Sequence, residues 1–205
     1  MKDILVVKLG GSFAAGGRLR PWLNAIMQGA GRTILVPGGG PFADAVRAAQ
    51  QVMGFDDAAA HQLALAAMRQ YGLALAALEP GLVPAGSEGE IAGALRGGQV
   101  PVWLPEAMAL RDSAIAPCWD VTSDSLALWL AVQVQARAVI LVKQVKPEGS
   151  TAAQLAEAGI VDRAFPDYLA KMAVPACIAG PDDMQGLGVA LSTGHMEWLF
   201  AIAPH

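Results

Sequence analysis

Charged side chains are scarce in this sequence: Asp, Glu, Lys and Arg make up 16% of its 205 residues, against about 25% in an average soluble domain. The formal net charge is −4, so no excess of basic residues is available to capture nucleic acid or an anionic membrane surface. Apolar residues reach 54%, which excludes a disordered chain. We expect part of so apolar a surface to be covered by a second copy of the chain, as a homo-oligomer.

Cysteines and long apolar runs are also lacking. Cys118 and Cys177 stand far apart with no Cys-x-x-Cys pairing, which excludes a disulfide framework and a zinc site of the usual spacing. The apolar stretches Leu63–Leu78 and Leu126–Ala138 are interrupted by arginine and glutamine, so neither is typical of a membrane span. The apolar run before Lys8 is too short for a signal peptide. We therefore expect a cytoplasmic protein with no membrane partner.

Short apolar runs alternate with helical stretches, which predicts an α/β protein with a mostly parallel central sheet. The predicted strands are Ile4–Leu9, Thr33–Val36, Val100–Leu104, Ala138–Val142 and Pro175–Ala179. The predicted helices are Pro41–Met53, one from Asp56 or Asp57 to about Leu78, Ser125–Gln135, and one capped by Ser150 or Thr151 that ends before Gly159. The region Pro80–Gly98 is predicted as loop with one short helix. No linker divides the chain, so residues 1–205 are expected to form one domain.

Glycine-rich loops follow the first two predicted strands. Glycines after a strand let the backbone approach a ligand closely and aim successive N–H groups at an anion. Because neighbouring parallel strands end at one edge of a sheet, the two loops are expected to face one crevice. Neither loop has the spacing of a Walker A or a dinucleotide fingerprint, and two tight turns are the structural alternative. The candidate phosphate-binding residues are Gly10, Gly11, Ser12, Gly38, Gly39 and Gly40.

Candidate catalytic and phosphate-binding side chains lie in the first strand and at the start of a helix. Lys8 lies inside an apolar strand, where a charge needs a partner unless it reaches solvent. Thr122, Ser123 and Asp124 crowd the first turn of the helix predicted to start at Ser125, where one cap would suffice. As chemistry, Asp124 could hold Lys8, and the two hydroxyls could bind phosphate oxygens.

These three motifs in this order, Lys-x-Gly-Gly-Ser, Gly-Gly-Gly and Thr-Ser-Asp, resemble the amino acid kinase superfamily, which includes acetylglutamate, aspartate, uridylate and isopentenyl phosphate kinases. The resemblance runs from residue 4 to about 180. It implies a three-layer αβα sandwich, a dimer or larger homo-oligomer, and transfer of a phosphoryl group from ATP with Mg²⁺ to a small molecule. It also implies that Lys8 and the glycines surround that group while Asp124 organises the catalytic lysines. About 1–135 would form the acceptor side, and about 136–205 a shortened nucleotide side.

A narrower resemblance rests on the string Trp119–Ser125 and the stretch Asp162–Asp167. Both are similar to the branch of the family that acts in methanofuran synthesis and converts an aminomethylfuran methyl phosphate to a diphosphate. The resemblance implies a phosphate monoester as acceptor. Trp119 would then be an aromatic wall for the ring, or it fills the core instead. Asp44 and Arg47, just inside the helix after the second glycine loop, are candidate acceptor contacts.

The sequence departs from the family where the nucleotide is expected, because Lys143–Gly149 carries lysine and glutamine in place of aspartates. The second catalytic lysine is assigned to Lys143, with Lys146 and Lys171 as alternatives. No metal-ligand spacing is visible, so Mg²⁺ would be held by ATP phosphates and water. Two other functions stay open: a non-catalytic or regulatory phosphate-binding protein, and a uridylate kinase-like enzyme. His61 is expected to make a surface or interface contact.

Overall fold

The central element of the fold is one sheet. The structure is a computed structural model that describes residues 3–15, 17–147, 149, 151–196 and 199–204. Within these residues, seven strands pair in the order β3-β4-β2-β1-β5-β6-β7. Their bounds are Leu5–Leu9 (β1), Thr33–Pro37 (β2), Leu82–Ala85 (β3), Val100–Trp103 (β4), Ala138–Val142 (β5), Ala176–Ala179 (β6) and Phe200–Ala201 (β7). The first six run parallel, and β7 pairs antiparallel to β6.

Helices cover both faces of the sheet and make the three-layer αβα arrangement. Their bounds in the described residues are Leu19–Met27 (α1), Gly40–Met53 (α2), Asp57–Leu78 (α3), Glu88–Arg96 (α4), Glu106–Ala109 (α5), Ser123–Gln133 (α6), Ala152–Glu157 (α7), Phe165–Met172 (α8) and Met184–Thr193 (α9). Helices α1 and α9 pack together on one face, and α6 packs with α8 on the other. None of these helices combines the length and apolar character of a membrane-spanning segment.

The alternation of side chains along β1 places Lys8 on the face covered by α6. Leu5, Val7 and Leu9 belong to the apolar cluster that includes α1 and α9, whereas Val6 belongs to the cluster that includes α6. Successive side chains of a strand point to opposite faces. Lys8 therefore shares the face of Val6 and points towards the start of α6, at the carboxyl edge of the sheet.

The predicted fold class is confirmed, and all five predicted strands match the observed strands within one residue at each end. The interpretation of Pro80–Gly98 is wrong in one respect, because the region contains strand β3 as well as helix α4. β3 reads Leu-Val-Pro-Ala and lies at the edge of the sheet, the position in which a strand tolerates proline. Thr151 caps α7 with a capping box, and its alternative, Ser150, lies outside the described residues.

Candidate active site

The two glycine loops touch each other at the carboxyl edge of the sheet. A Cβ on Gly11 would overlap the backbone nitrogen of Gly40, and a Cβ on Gly38 would lie 2.5 Å from the nitrogen of Gly11. Gly40 has a left-handed φ of +55°, and a Cβ there would meet the ring of Tyr71 at 2.9 Å. Only glycine permits this approach. The loops together form one floor of backbone groups, as the sequence predicted for two neighbouring strands.

Three charged side chains meet beside this floor. Lys8 Nζ lies 2.8 Å from Asp124 Oδ1, and Lys143 Nζ donates to both oxygens of Asp124 at 2.9 and 2.8 Å. None of the three side chains is more than 11% exposed. We refer to Lys8, Asp124 and Lys143 as the charge cluster. The alternative lysines, Lys146 and Lys171, are both exposed, so Lys143 is the lysine that the fold brings to Asp124.

The charge cluster carries two cations and one anion, and burial alone would neutralise its members. Burial would raise the pKa of Asp124, but the ammonium groups of Lys143 and Lys8 outweigh it and hold that pKa at about 2. Burial lowers the pKa of Lys143 to about 8, with Lys8 acting in the same direction and Asp124 opposing both. The cluster therefore keeps one positive charge in excess in a poorly solvated place, which favours an anionic ligand.

The start of α6 is held from outside the helix, by Asp162. Oδ2 of Asp162 accepts hydrogen bonds from Thr122 N at 2.9 Å, Thr122 Oγ1 at 2.8 Å and Ser125 N at 3.0 Å, and Oδ1 accepts from Ser125 Oγ. The expectation that Thr122, Ser123 or Asp124 caps this helix is wrong, because the N-cap residue Thr122 makes no side-chain cap. Its hydroxyl is engaged by Asp162 instead.

Asp162 is a site residue that the sequence reasoning did not assign. Its only signal was membership of the stretch Asp162–Asp167 that carries the narrower resemblance. Burial and the negative charge of Asp124 raise the pKa of Asp162, while the hydrogen bonds from Ser125 and Thr122 oppose the rise. The carboxylates of Asp124 and Asp162 thus lie close together, and each accepts hydrogen bonds from a different set of donors.

A cavity of about 290 Å³ opens on one side of the glycine floor. It is lined by Gly11, Ser12, Gly38, Gly39, Gly40, Ala43, Asp44, Arg47, His61, Ala64, Leu65, Met68, Cys118, Trp119, Val121, Thr122, Ser123 and Leu126. We call it the acceptor cavity. All the predicted phosphate- and substrate-binding residues except Gly10 line it.

Trp119 forms part of the wall of the acceptor cavity and is only partly buried. The guanidinium of Arg47 lies 4.3 Å from the centre of its ring, a cation–π distance. Its indole Nε1 donates to Gln50 Oε1 at 2.7 Å. Arg47 also pairs with Asp44 at 3.2 Å, and both of these side chains reach solvent. The geometry is that of an aromatic wall with a charged rim, one of the two interpretations that the sequence left open.

His61 is not at the surface, so the surface alternative of that expectation is wrong, while the interface alternative stays a prediction. Its side chain lines the acceptor cavity and the residue is 8% exposed. Burial lowers the pKa of His61 below its usual value, which keeps the imidazole neutral at pH 7.

A second opening, of about 410 Å³, lies on the other side of the glycine floor. The charge cluster lines it together with Gly10, Asp162 and the residues that follow β5. Gln144 Nε2 donates to the carbonyl oxygen of Ser12 at 2.6 Å, which ties the segment after β5 to the first glycine loop. Gly11, Ser12 and Thr122 line both spaces, so the two meet beside the charge cluster. We call this second space the donor cleft.

The described residues contain no group of three or more His, Cys, Asp or Glu side chains placed to hold a metal ion. The carboxylate of Asp124 contacts Lys8 and Lys143, and the carboxylate of Asp162 accepts hydrogen bonds from the start of α6. A divalent cation at this edge would therefore be held mainly by the phosphates of a ligand and by water.

A mostly parallel αβα sandwich with two glycine loops and a buried lysine–aspartate cluster at the strand ends is an arrangement suited to a phosphate-bearing ligand. The model of the amino acid kinase family matches residues 3–147, and the chain belongs to that family. Over 143 residues it is 27% identical to "[5-(aminomethyl)furan-3-yl]methyl phosphate kinase" of Methanocaldococcus jannaschii. The match covers 68% of this chain and 65% of the relative, slightly less than two thirds of that protein's length.

Solved structures share the fold. Uridylate kinase from Archaeoglobus fulgidus superposes with a TM-score of 0.70 at 18% identity, covering 98% of this chain and 100% of the other. UMP kinase from Ureaplasma parvum gives a TM-score of 0.65 at 14% identity, with 90% and 92% covered. At these identities the likeness establishes the architecture only.

The contact between the glycine loops predicts the effect of one methyl group. Gly11→Ala should lower the free energy of unfolding by roughly 1–3 kcal/mol, because the new Cβ overlaps backbone that has little room to move. Gly89→Ala is the matched control, since a Cβ at that exposed position in α4 meets nothing within 4 Å. Urea denaturation of both variants measures the difference, and equal stabilities would contradict the tight contact.

The hydrogen bonds of Asp162 predict that two Asp→Asn substitutions differ in their effect on stability. Asp162→Asn replaces one acceptor oxygen by an NH₂ group that faces the donors of Thr122 and Ser125, so about 1–3 kcal/mol of stability should be lost. Asp167→Asn, at an exposed position of α8, should change stability by less than about 0.5 kcal/mol. Thermal and urea denaturation measure both; an Asp162→Asn protein as stable as wild type would exclude this role in holding α6.

Proposed function

We propose that the chain is an ATP-dependent kinase that transfers the γ-phosphoryl group of ATP to a small phosphate monoester. The observation that carries the proposal is the charge cluster, with its excess positive charge, at the junction of the acceptor cavity and the donor cleft. Phosphoryl transfer depends mainly on in-line positioning and on neutralising the charge of the transferred group. The two ammonium groups line the donor cleft, and the residues shared by both spaces lie beside them, which supports a transferred group placed between donor and acceptor.

In this proposal ATP occupies the donor cleft and supplies the phosphoryl group, and the acceptor occupies the acceptor cavity. Lys8 and Lys143 stabilise the negative charge of the equatorial oxygens, and Asp124 fixes both lysines. Backbone N–H groups of the two glycine loops bind phosphate oxygens of donor and acceptor. The bond from the γ-phosphorus to the bridging oxygen breaks as an acceptor oxygen bonds to that phosphorus, and ADP leaves.

The state of the carboxylates supports an anionic acceptor. An alcohol must lose a proton during transfer and needs a general base near the reacting oxygen. Asp124 and Asp162 are both engaged by donors, so neither is a free base. A phosphate monoester is already largely ionised at pH 7 and needs none.

The acceptor cavity supports a small acceptor. Its volume of about 290 Å³ lies at the lower limit for small-molecule sites, which favours a compact monoester over a nucleoside monophosphate. The aromatic wall of Trp119, with Arg47 and Asp44 at the rim, suits a flat ring. The name of the Methanocaldococcus jannaschii relative supports an aminomethylfuran methyl phosphate as the first acceptor to test.

Lys8→Ala tests the proposed function directly. ADP release from Mg²⁺-ATP is measured with furan-3-ylmethyl phosphate, its aminomethyl derivative and UMP as acceptors. Lys8→Ala should lose roughly 10²–10³-fold in kcat/KM, because a preorganised charge on the transferred group is removed. Lys171→Ala is the control, since this lysine is exposed at the end of α8, and it should stay within about twofold.

Three outcomes of this experiment would change the interpretation. Activity that survives Lys8→Ala would exclude the proposed role of Lys8 in stabilising the transferred phosphoryl group. Turnover confined to UMP would identify a uridylate kinase-like enzyme. Binding of ATP without turnover on any acceptor would favour a non-catalytic or regulatory protein.

The lowered pKa of Lys143 predicts the pH dependence. The ammonium form is the active one, so kcat/KM should fall as the pH rises through about 8, where Lys143 loses its proton. The acceptor phosphate titrates near pH 6 and does not contribute to this limb. In Lys143→Arg the guanidinium stays charged, so the alkaline limb seen in wild type should move to higher pH. An unchanged limb in the variant would show that another group titrates.

A further inference from the structure

Among the described residues, His61 and Ser123 are buried polar residues that line the acceptor cavity with no side-chain hydrogen bond, and His61 is the one with a ring that carries both a donor and an acceptor. It makes no hydrogen bond or ion pair with any described residue, although it is only 8% exposed. The hydroxyl oxygens of Thr33, Tyr71 and Tyr168 are also unpaired, but they are sealed inside the protein. The His61 ring nitrogens are not sealed, because the residue lines the cavity. These ring nitrogens have no partner within the described protein and open to the cavity, so the imidazole is available to hydrogen-bond a ligand there.

The position of His61 on α3 locates it relative to the glycine floor. His61, Ala64, Leu65 and Met68 line the cavity at the spacing of one helix face. One turn further, Tyr71 contacts the position of Gly40. With a rise of 1.5 Å per residue, His61 lies roughly 15 Å along the helix from the level of Tyr71. The imidazole therefore stands at the end of the cavity away from the glycine loops.

That end of the cavity is held in place by Gln50. Its amide nitrogen donates to Asp57 Oδ1 at 2.9 Å, and its amide oxygen accepts from Trp119 Nε1. Asp56 caps the same helix start by accepting from Ala59 N. The first turns of α3, the helix α2 and the Trp119 wall thus form one connected unit, which fixes the backbone that carries His61.

The surroundings of His61 decide what it can bind. Much of the cavity wall is apolar, with Leu65, Val121 and Leu126 among its residues, although Thr122 and Ser123 also line it. The charged groups that line the cavity are Asp44 and Arg47, which pair with each other near solvent. Burial keeps the imidazole neutral, so it offers one N–H donor and one lone pair. An uncharged polar atom fits this place.

We propose that His61 is an acceptor-binding and specificity-determining residue. It hydrogen-bonds an uncharged heteroatom in the organic part of the acceptor, such as a ring oxygen, while the acceptor phosphate is directed towards the glycine floor. The substrate class is then a small phosphate monoester with an apolar ring that contains or carries one such atom. This inference rests on the proposed function for the acceptor's phosphate, but it concerns binding and not turnover.

The test compares two ligands that differ in one ring heteroatom. Binding of furan-3-ylmethyl phosphate and of benzyl phosphate, which lacks a ring oxygen, is measured by calorimetry without ATP. Wild type should prefer the furan ligand. His61→Leu should weaken furan binding by about tenfold or more, the usual effect of losing a hydrogen bond in a buried site, and should leave benzyl phosphate within about twofold. His61→Gln, which keeps a polar group, should restore part of the preference.

Gln62→Leu is the matched control, since it introduces the same side chain at the exposed neighbouring position of α3, and it should bind both ligands as wild type does. His61→Ala, which leaves space instead of filling it, should show the same loss of preference if overpacking is not the cause. Equal weakening of both ligands would assign His61 to packing and overturn the proposal. Binding unchanged by His61→Leu, or no binding of either ligand to wild type, would overturn it too. Preferential binding of the furan ligand without ADP release would instead refute the kinase proposal and leave this one standing.

Discussion

The carboxylate of Asp124 between two ammonium groups is the interaction on which the rest of the site depends. Lys8 comes from β1, Asp124 from α6 and Lys143 from the end of β5, so one pair of oxygens joins three elements at the carboxyl edge of the sheet. The carboxylate compensates part of the cost of holding two ammonium groups at so low an exposure. Because both lysines pair with one carboxylate, each ammonium group has a partner while the cluster keeps one positive charge in excess. That excess charge favours an anion such as phosphate.

Asp124 owes its own position to a second carboxylate. Asp162 holds the residues on either side of it, Thr122 and Ser125, so the orientation of the helix start is set by a side chain from the segment before α8. The two carboxylates repel each other, which is part of why the pKa of Asp162 is raised. The donors around each one compensate for this repulsion. Asp124 and Asp162 are therefore both engaged by donors, and this property is what supports an anionic acceptor in the proposed function.

The sequence predicted the parts of the site that are local. Both glycine loops and Lys8 sit directly after or within buried strands, and a parallel sheet brings such positions to one edge. Asp162 could not be assigned, because its partners lie 37 to 40 residues away and depend on how α8 packs against α6. His61 was misjudged because α3 is apolar around most of its circumference, so its composition does not reveal which face lines a cavity. Strand β3 was not predicted because it contains Pro84, and proline in a short apolar run argues against a strand unless the run lies at a sheet edge.

Helix α3 links the two ends of the acceptor cavity in one rigid element. Leu65 and Met68 pack in the apolar cluster on the α6 side of the sheet, whereas Tyr71 and Leu75 belong to the cluster on the α1 side. The helix therefore crosses the boundary between the two layers and cannot shift without disturbing both. Tyr71 supports the glycine floor, and His61 faces the far end of the cavity. If His61 and the glycine floor bind two parts of one acceptor, as we propose, α3 holds these two contacts at a fixed spacing.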